Sequence, residues 1–238
     1  MRTKLRQVYG SDLCILGWIG AAGDQSPHLM YRKAAEERMR ELRKLSRLDE
    51  IARRIVIAVN EAYDAVKNDR YKDVPLIHKT EKLTLPMRLV TEAEFAEAKA
   101  ESGKLASRIA ADPKLKDEIE RRMKWYTATL DRFEKQKSDP NPVYETEIHV
   151  IRLGDVAICP NQFELFTDYS LRIQARSKAI QTIIIQCAGP GTYLPTEKAV
   201  RGGGYSAVVQ SSTVGPEGGQ ILVDRTLELI DSMWPDLK

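Results

Sequence analysis

Histidine is scarce in this 238-residue chain, with only His28, His78 and His149. So few imidazoles leave little room for metal chemistry, and only His28 lies beside a loop rich in other reactive side chains. His149 sits in an alternating stretch and reads as a half-buried strand residue; His78, near Pro75, reads as surface. Cysteine is equally rare. Cys14, Cys159 and Cys187 are odd in number, far apart and beside apolar runs, which fits buried free thiols better than a disulfide framework or a zinc knuckle. No apolar run approaches the roughly 18 residues needed to span a bilayer. The basic start, MRTKLRQ, leads into a short apolar run without a small-residue cleavage site, so no signal peptide is read in the chain as given. Localisation stays open: cytoplasmic as the chain stands, periplasmic or secreted if a leader precedes it. Charge of one sign is also lacking. The 37 Lys and Arg against 34 Asp and Glu give a net +3, too little to argue for nucleic acid, and none is expected as a partner. No internal repeat or low-complexity segment is present.

What is there divides into three zones. An apolar run at residues 13–19 reads as a buried strand, ending in AAGDQSPH. Residues 31–137 read as a mostly helical insertion. Asp49 and Glu50 suit a helix start, Thr91 and Glu94 form a capping box, and Asp112 with Pro113 opens another helix. Within it, Leu83, Leu85 and Met87 alternate with Lys82, Thr84 and Pro86, an extended piece with Pro86 marking an edge. The many Lys, Arg and Glu of these helices read as a solvated face. After the turn cluster SDPNP come an alternating strand, a hairpin turn at Gly154-Asp155, a helix from NQFELF onward, a fully apolar strand over residues 182–187, a Gly-rich loop and a closing amphipathic helix. The expected fold is therefore α/β, a single domain with a mixed sheet, strand-end site loops and a long helical insertion. Such sheets place sites beyond the strand ends.

Three loops could carry chemistry. In GDQSPH, Asp24 or Ser26 caps a helix with Pro27 at its first position, or Ser26 is a presented serine; local physics favours the cap. In NQFELF, Glu164 is a metal ligand or base, or a first-turn glutamate favoured by the helix dipole. In GTYLPT, Tyr193 is a site residue or a packed loop aromatic. RGGGY lacks the spacing of a phosphate fingerprint. VGPEGG could bind an anion at a helix start, although a flexible turn explains it more simply.

Taken together, these segments resemble the neutral, non-lysosomal ceramidases and their bacterial relatives, most closely an uncharacterised bacterial branch. AAGDQSPH is similar to that family's GDxSPN motif. CPNQFELFTDYSLRI is similar to its strand-Pro-glutamate motif, with Ser170 where the family has glycine. GTYLPTEKA is similar to its S-Y-V-T-T-like loop, and YSAVVQSSTVGPEGG to a stretch ending in S-T-x-x-G-P. The motif order matches, and the resemblance covers residues 13–28 and 143–234.

The resemblance implies a zinc-dependent hydrolase of linear amides, small or lipid, with a link to sphingolipid metabolism. It makes Ser26 the serine at the carbonyl, with Asp24 beside it, Glu164 a zinc ligand, and Tyr193 a metal ligand or oxyanion donor. His28 stands where the family has Asn and becomes a candidate third ligand. The family's metal histidines lie upstream of GDxSP and have no counterpart here, so the chain is expected to correspond to the C-terminal part of the usual catalytic domain. The alternative is a catalytically inactive remnant that binds a ligand or partner. Self-association is left open.

Overall fold

The computed structural model describes residues 1–234, which form two compact units. The smaller comprises Met1–Trp18 and Ser26–Val74; the larger comprises Ile19–Gln25 and the chain from Pro75 onward.

The smaller unit is built from α1 (Arg2–Tyr9), α2 (Lys33–Leu42) and α3 (Arg47–Val66). Ser46 caps α3, its Oγ accepting from the Asp49 N–H at 3.1 Å, and Asp49 and Glu50 occupy the first turn as the sequence leads one to expect. Glu50 is buried. The Arg53 and Arg54 guanidiniums donate to its carboxylate at 2.8–2.9 Å and hold its pKa down to about 2. The Tyr9 hydroxyl ties α1 to α3 through Asn60 Oδ1 at 2.8 Å, with the Tyr9 ring edge-on to Tyr63.

The apolar run at residues 13–19 is not a strand. Leu16, Trp18 and Ile19 are exposed, and the run meets a sheet only at its end, where the Ile19 carbonyl accepts from the Gln186 N–H at 2.9 Å. Apolar composition makes a segment fit for a sheet but does not supply the neighbouring backbone that makes it a strand. Cys14 in this run is exposed, as is Cys187; all three cysteines are free, but only Cys159 is buried as expected.

The larger unit is α/β, built on a four-stranded mixed sheet. Its strands are β1 (Leu76–Pro86), β2 (Val143–Leu153), β3 (Val156–Pro160) and β5 (Gln181–Ile185), in the order β1-β2-β3-β5. The pairings β1–β2 and β2–β3 are antiparallel, and β3–β5 is parallel. The extended piece read around Leu83 therefore begins earlier, at Leu76, and is a full edge strand inside the zone expected to be helical. Pro86 ends it, as its missing N–H requires. The β2–β3 hairpin turns at Gly154 with φ 60°, a conformation glycine adopts without steric cost. Alternate residues Leu83, Leu85, Ile148, Val150, Ala157, Cys159 and Ile184 form one buried face. On it pack α6 (Thr167–Arg176) and α8 (Pro216–Asp231). Gly218 and Gly219 of α8 serve this packing: a Cβ on Gly219 would lie 2.2 Å from the Tyr169 hydroxyl. They are contact glycines, not an anion cradle.

Two long helices, α4 (Glu92–Ala111) and α5 (Lys116–Ser138), form a hairpin around Ala98, Leu105, Ile119 and Tyr126. The Thr91–Glu94 capping box is present. Asp112 accepts from the Lys114 N–H as a cap, but what it opens is a 3-10 turn, Pro113–Leu115, and α5 starts only at Lys116.

Candidate functional site

β3 and β5 are parallel, and Pro160 pairs with Ile185, so both strands end at the same edge of the sheet. The chain beyond those ends is laced together by backbone. Asn161 N–H donates to the Ile185 carbonyl at 2.8 Å, and Cys187 N–H to the Phe163 carbonyl at 3.0 Å. Two short strands follow, β4 (Glu164–Leu165) and β6 (Tyr193–Leu194), paired in parallel with Glu164 opposite Tyr193.

Four separate segments converge here. The Gly23 N–H donates to the Leu165 carbonyl at 2.8 Å, and the Ala22 N–H to Gln186 Oε1 at 3.0 Å. The Glu164 N–H donates to the Thr192 carbonyl at 3.1 Å. The Tyr193 N–H donates to the Ser211 carbonyl at 3.2 Å, and the Thr213 N–H to Thr192 Oγ1 at 3.1 Å. Residues 19–25, 160–167, 191–196 and 205–216 thus meet at one sheet edge, although they are far apart in sequence.

Asp24 has a definite partner. Its Oδ1 accepts from the Thr167 N–H at 2.9 Å and from the Thr167 hydroxyl at 2.7 Å. Phe166, the residue preceding α6, supplies no cap of its own, so Asp24 caps that helix from a distant segment and places a carboxylate at its positive end. Glu164 lies on β4 rather than in the first turn of α6.

Tyr193 and Glu164 are the sequence-expected pair that the fold brings together. Burial first, and then the neighbouring Glu164 carboxylate, push the Tyr193 pKa up to about 12. Tyr205 meets Tyr193 edge-on at 5.9 Å between centroids, and Trp125 of α5 stacks on Tyr205 at 5.8 Å. Cys187 adjoins the pair; partial desolvation of its thiol and the Glu164 charge raise its pKa. The result is one O–H group and one carboxylate side by side at the sheet edge, with aromatic rings flanking Tyr193. Tyr205 and Trp125 carry no sequence signal: one follows three glycines, the other lies in a charged helix.

The sign of the Tyr193 shift fixes a test. An ordinary phenol ionises near pH 10. Between that value and about 12 the unfolded chain has lost a proton that the folded state retains, so stability is whole below about pH 10 and declines as pH rises towards 12. Tyr193→Phe is expected to remove part of the loss of denaturation midpoint seen between these pH values. An unchanged alkaline profile would count against the coupling of Tyr193 to Glu164.

Ser26 and His28 belong to the smaller unit, where both are exposed. Ser26 Oγ lies 2.9 Å from His28 Nδ1 and accepts from the His28 N–H at 3.2 Å. Glu164 and Tyr193 are two oxygen donors, one fewer than the three protein ligands a catalytic zinc site usually offers. Among the described residues, no three His, Cys, Asp or Glu side chains converge as metal ligands.

No family model and no curated protein matches the sequence. Among solved structures, a ceramidase complexed with C2 is similar at 13% identity and a TM-score of 0.34, the match covering 37% of this chain and 15% of that one. Neutral ceramidase from Pseudomonas aeruginosa is similar at 17% identity and a TM-score of 0.32, with 39% and 16% covered. The match therefore spans 15–16% of the length of these structures.

Proposed function

We propose that this protein is a ceramidase-like hydrolase of linear amides, and that Glu164 and Tyr193 form the amide-recognition pair. The observation that carries the reading is the convergence of four motif-bearing segments on that pair at one sheet edge. An amide offers a carbonyl acceptor and an N–H donor side by side. The Tyr193 O–H, held protonated at neutral pH, complements the carbonyl, and the Glu164 carboxylate complements the N–H. Charge developing on the carbonyl oxygen strengthens the first bond, which is how an oxyanion donor lowers a barrier. Tyr205 and Trp125 offer apolar flanks to an acyl chain. The likeness of AAGDQSPH to the family motif makes Ser26 a candidate nucleophile. Asp24 holds the start of α6 and acts by positioning.

The second reading is a catalytically inactive protein that binds an amide without cleaving it. It is favoured by Glu164 and Tyr193 standing opposite each other across β4 and β6, which offers an amide a donor and an acceptor but no nucleophile of the pair's own.

One set of measurements separates the two. The purified chain is incubated with a short fluorescent N-acyl amide and with a ceramide, and released acid is followed by mass spectrometry. Cleavage lowered about 100-fold in kcat/KM by Tyr193→Phe, with a further loss in Glu164→Gln, supports the hydrolase. Binding that weakens in both variants, without cleavage, supports the second reading. Neither binding nor cleavage overturns both. Elemental analysis of the same protein tests the donor argument: stoichiometric zinc lost in Glu164→Ala would restore a metal-centred site.

A further inference from the structure

The smaller unit places a serine hydroxyl beside an imidazole nitrogen. Ser26 Oγ accepts from the His28 backbone N–H at 3.2 Å, and His28 Nδ1 lies 2.9 Å from it. In the tautomer with the ring proton on Nε2, the Nδ1 lone pair accepts from the hydroxyl. The turn is fastened from outside as well, because Arg47, the first residue of α3, donates to the Pro27 carbonyl.

His28 and Pro27 also line a groove of about 740 Å³ within the smaller unit. Arg40 pairs with Glu37, and Arg54 with Glu36 and Glu50, while Lys33 and Arg47 add positive charge to the lining. Leu29, Ala34 and Ile51 supply apolar wall. Aliphatic walls of this kind suit the acyl part of a substrate.

We infer that Ser26 and His28 are a nucleophile and general-base pair acting on acyl carbonyls, with His28 as the base rather than a metal ligand. The inference deepens the hydrolase reading and rests on it for the role of Ser26. In the acyl-transfer step, a bond forms from Ser26 Oγ to the carbonyl carbon, and the hydroxyl proton passes to His28 Nδ1. Collapse breaks the bond to the amine or alcohol, which leaves with that proton. Water, deprotonated by the same imidazole, then releases the acid and restores the serine.

The probe is diisopropyl fluorophosphate on the full chain, read by intact mass and peptide mapping. Labelling forms the bond from Oγ to phosphorus and expels fluoride; the proton again goes to His28. It needs no amide substrate, so it reports on the pair separately from recognition at Glu164 and Tyr193. The expected result is a single label on Ser26. The rate should fall about 100-fold in His28→Asn and in His28→Ala. Added imidazole should restore labelling of His28→Ala but not of Ser26→Ala, a rescue that a merely structural histidine would not show. Absence of label on Ser26, labelling of His28→Asn at the wild-type rate, or failure of imidazole rescue would each overturn the inference. Label on Ser26 alongside amide cleavage indifferent to Tyr193→Phe and Glu164→Gln would leave this pair standing and remove the amide-recognition reading.

Discussion

Replacing Arg132 by leucine is expected to cost the larger unit about 3 kcal/mol, roughly 6–12 °C in melting temperature for a unit of this size. The reason is the number of carbonyls that one guanidinium serves. From α5, Arg132 Nη1 donates to the Val209 carbonyl at 2.7 Å and the Ser212 carbonyl at 3.3 Å, and Nη2 donates to the Arg88 carbonyl at 2.7 Å. Leucine leaves all three without this donor, and an unsatisfied buried acceptor costs about 1–3 kcal/mol. Removing the cation returns part of that, since burial and the neighbouring Arg88 disfavour its charged form. Arg88 cannot take over the contacts. Its own guanidinium is engaged with the Ala207 carbonyl at 2.6 Å, with Ser212 Oγ and Glu94 both at 2.9 Å. The site should feel the loss directly, because the clamped segment supplies the Ser211 carbonyl to the Tyr193 N–H. Hydrogen exchange at the Tyr193 and Thr213 amides should accelerate before global unfolding. Arg121→Leu, on an exposed part of the same helix, should change stability by less than about 0.5 kcal/mol. Equal effects from the two substitutions would refute the clamp.

Arg132 also shows where sequence reading reaches its limit. In a helix of alternating Lys, Arg and Glu, charge pattern alone makes every basic residue look solvated, and for most of α5 that is correct. The one arginine that points inward differs only in what faces it, a loop some 75 residues later in the chain, and periodicity carries no such information. Features set by a few neighbouring residues were legible for the same reason. The Thr91–Glu94 box, the Gly154 hairpin and the alternation in β2 depend on contacts the local sequence encodes. The run at residues 13–19 was misread because a strand is a pairing, and apolar character names no partner. Asp24 lies between these cases. Its capping role follows from its chemistry, but the helix it caps is α6 rather than the one next in sequence. The meeting of Glu164 with Tyr193 was legible only through the order of motifs, since 29 residues separate them and no local rule joins them.

Gly23→Ala is expected to destabilise the larger unit by about 2–3 kcal/mol and to disable the site with it. A Cβ at this position would stand 2.3 Å from the Glu164 carbonyl oxygen and 2.8 Å from its carbon. Both atoms are backbone, so no rotamer change relieves the contact. Either the 19–25 segment lifts off β4, breaking the 2.8 Å bond from the Gly23 N–H to the Leu165 carbonyl, or β4 itself shifts. Lifting draws Asp24 away from Thr167 and uncaps α6; shifting moves Glu164 relative to Tyr193. Either way, the damage falls on the two contacts that organise this edge. Gly103→Ala is the matched control. It adds the same methyl within α4, where no heavy atom lies within 4 Å, and should stabilise by about 0.5–1 kcal/mol through better helix propensity. Denaturant midpoints for the two variants should therefore move in opposite directions, and the Thr167 amide should lose exchange protection only in Gly23→Ala. A Gly23→Ala protein as stable as wild type would mean that the 19–25 segment does not rest on β4, and the convergence of the four segments would lose its first member.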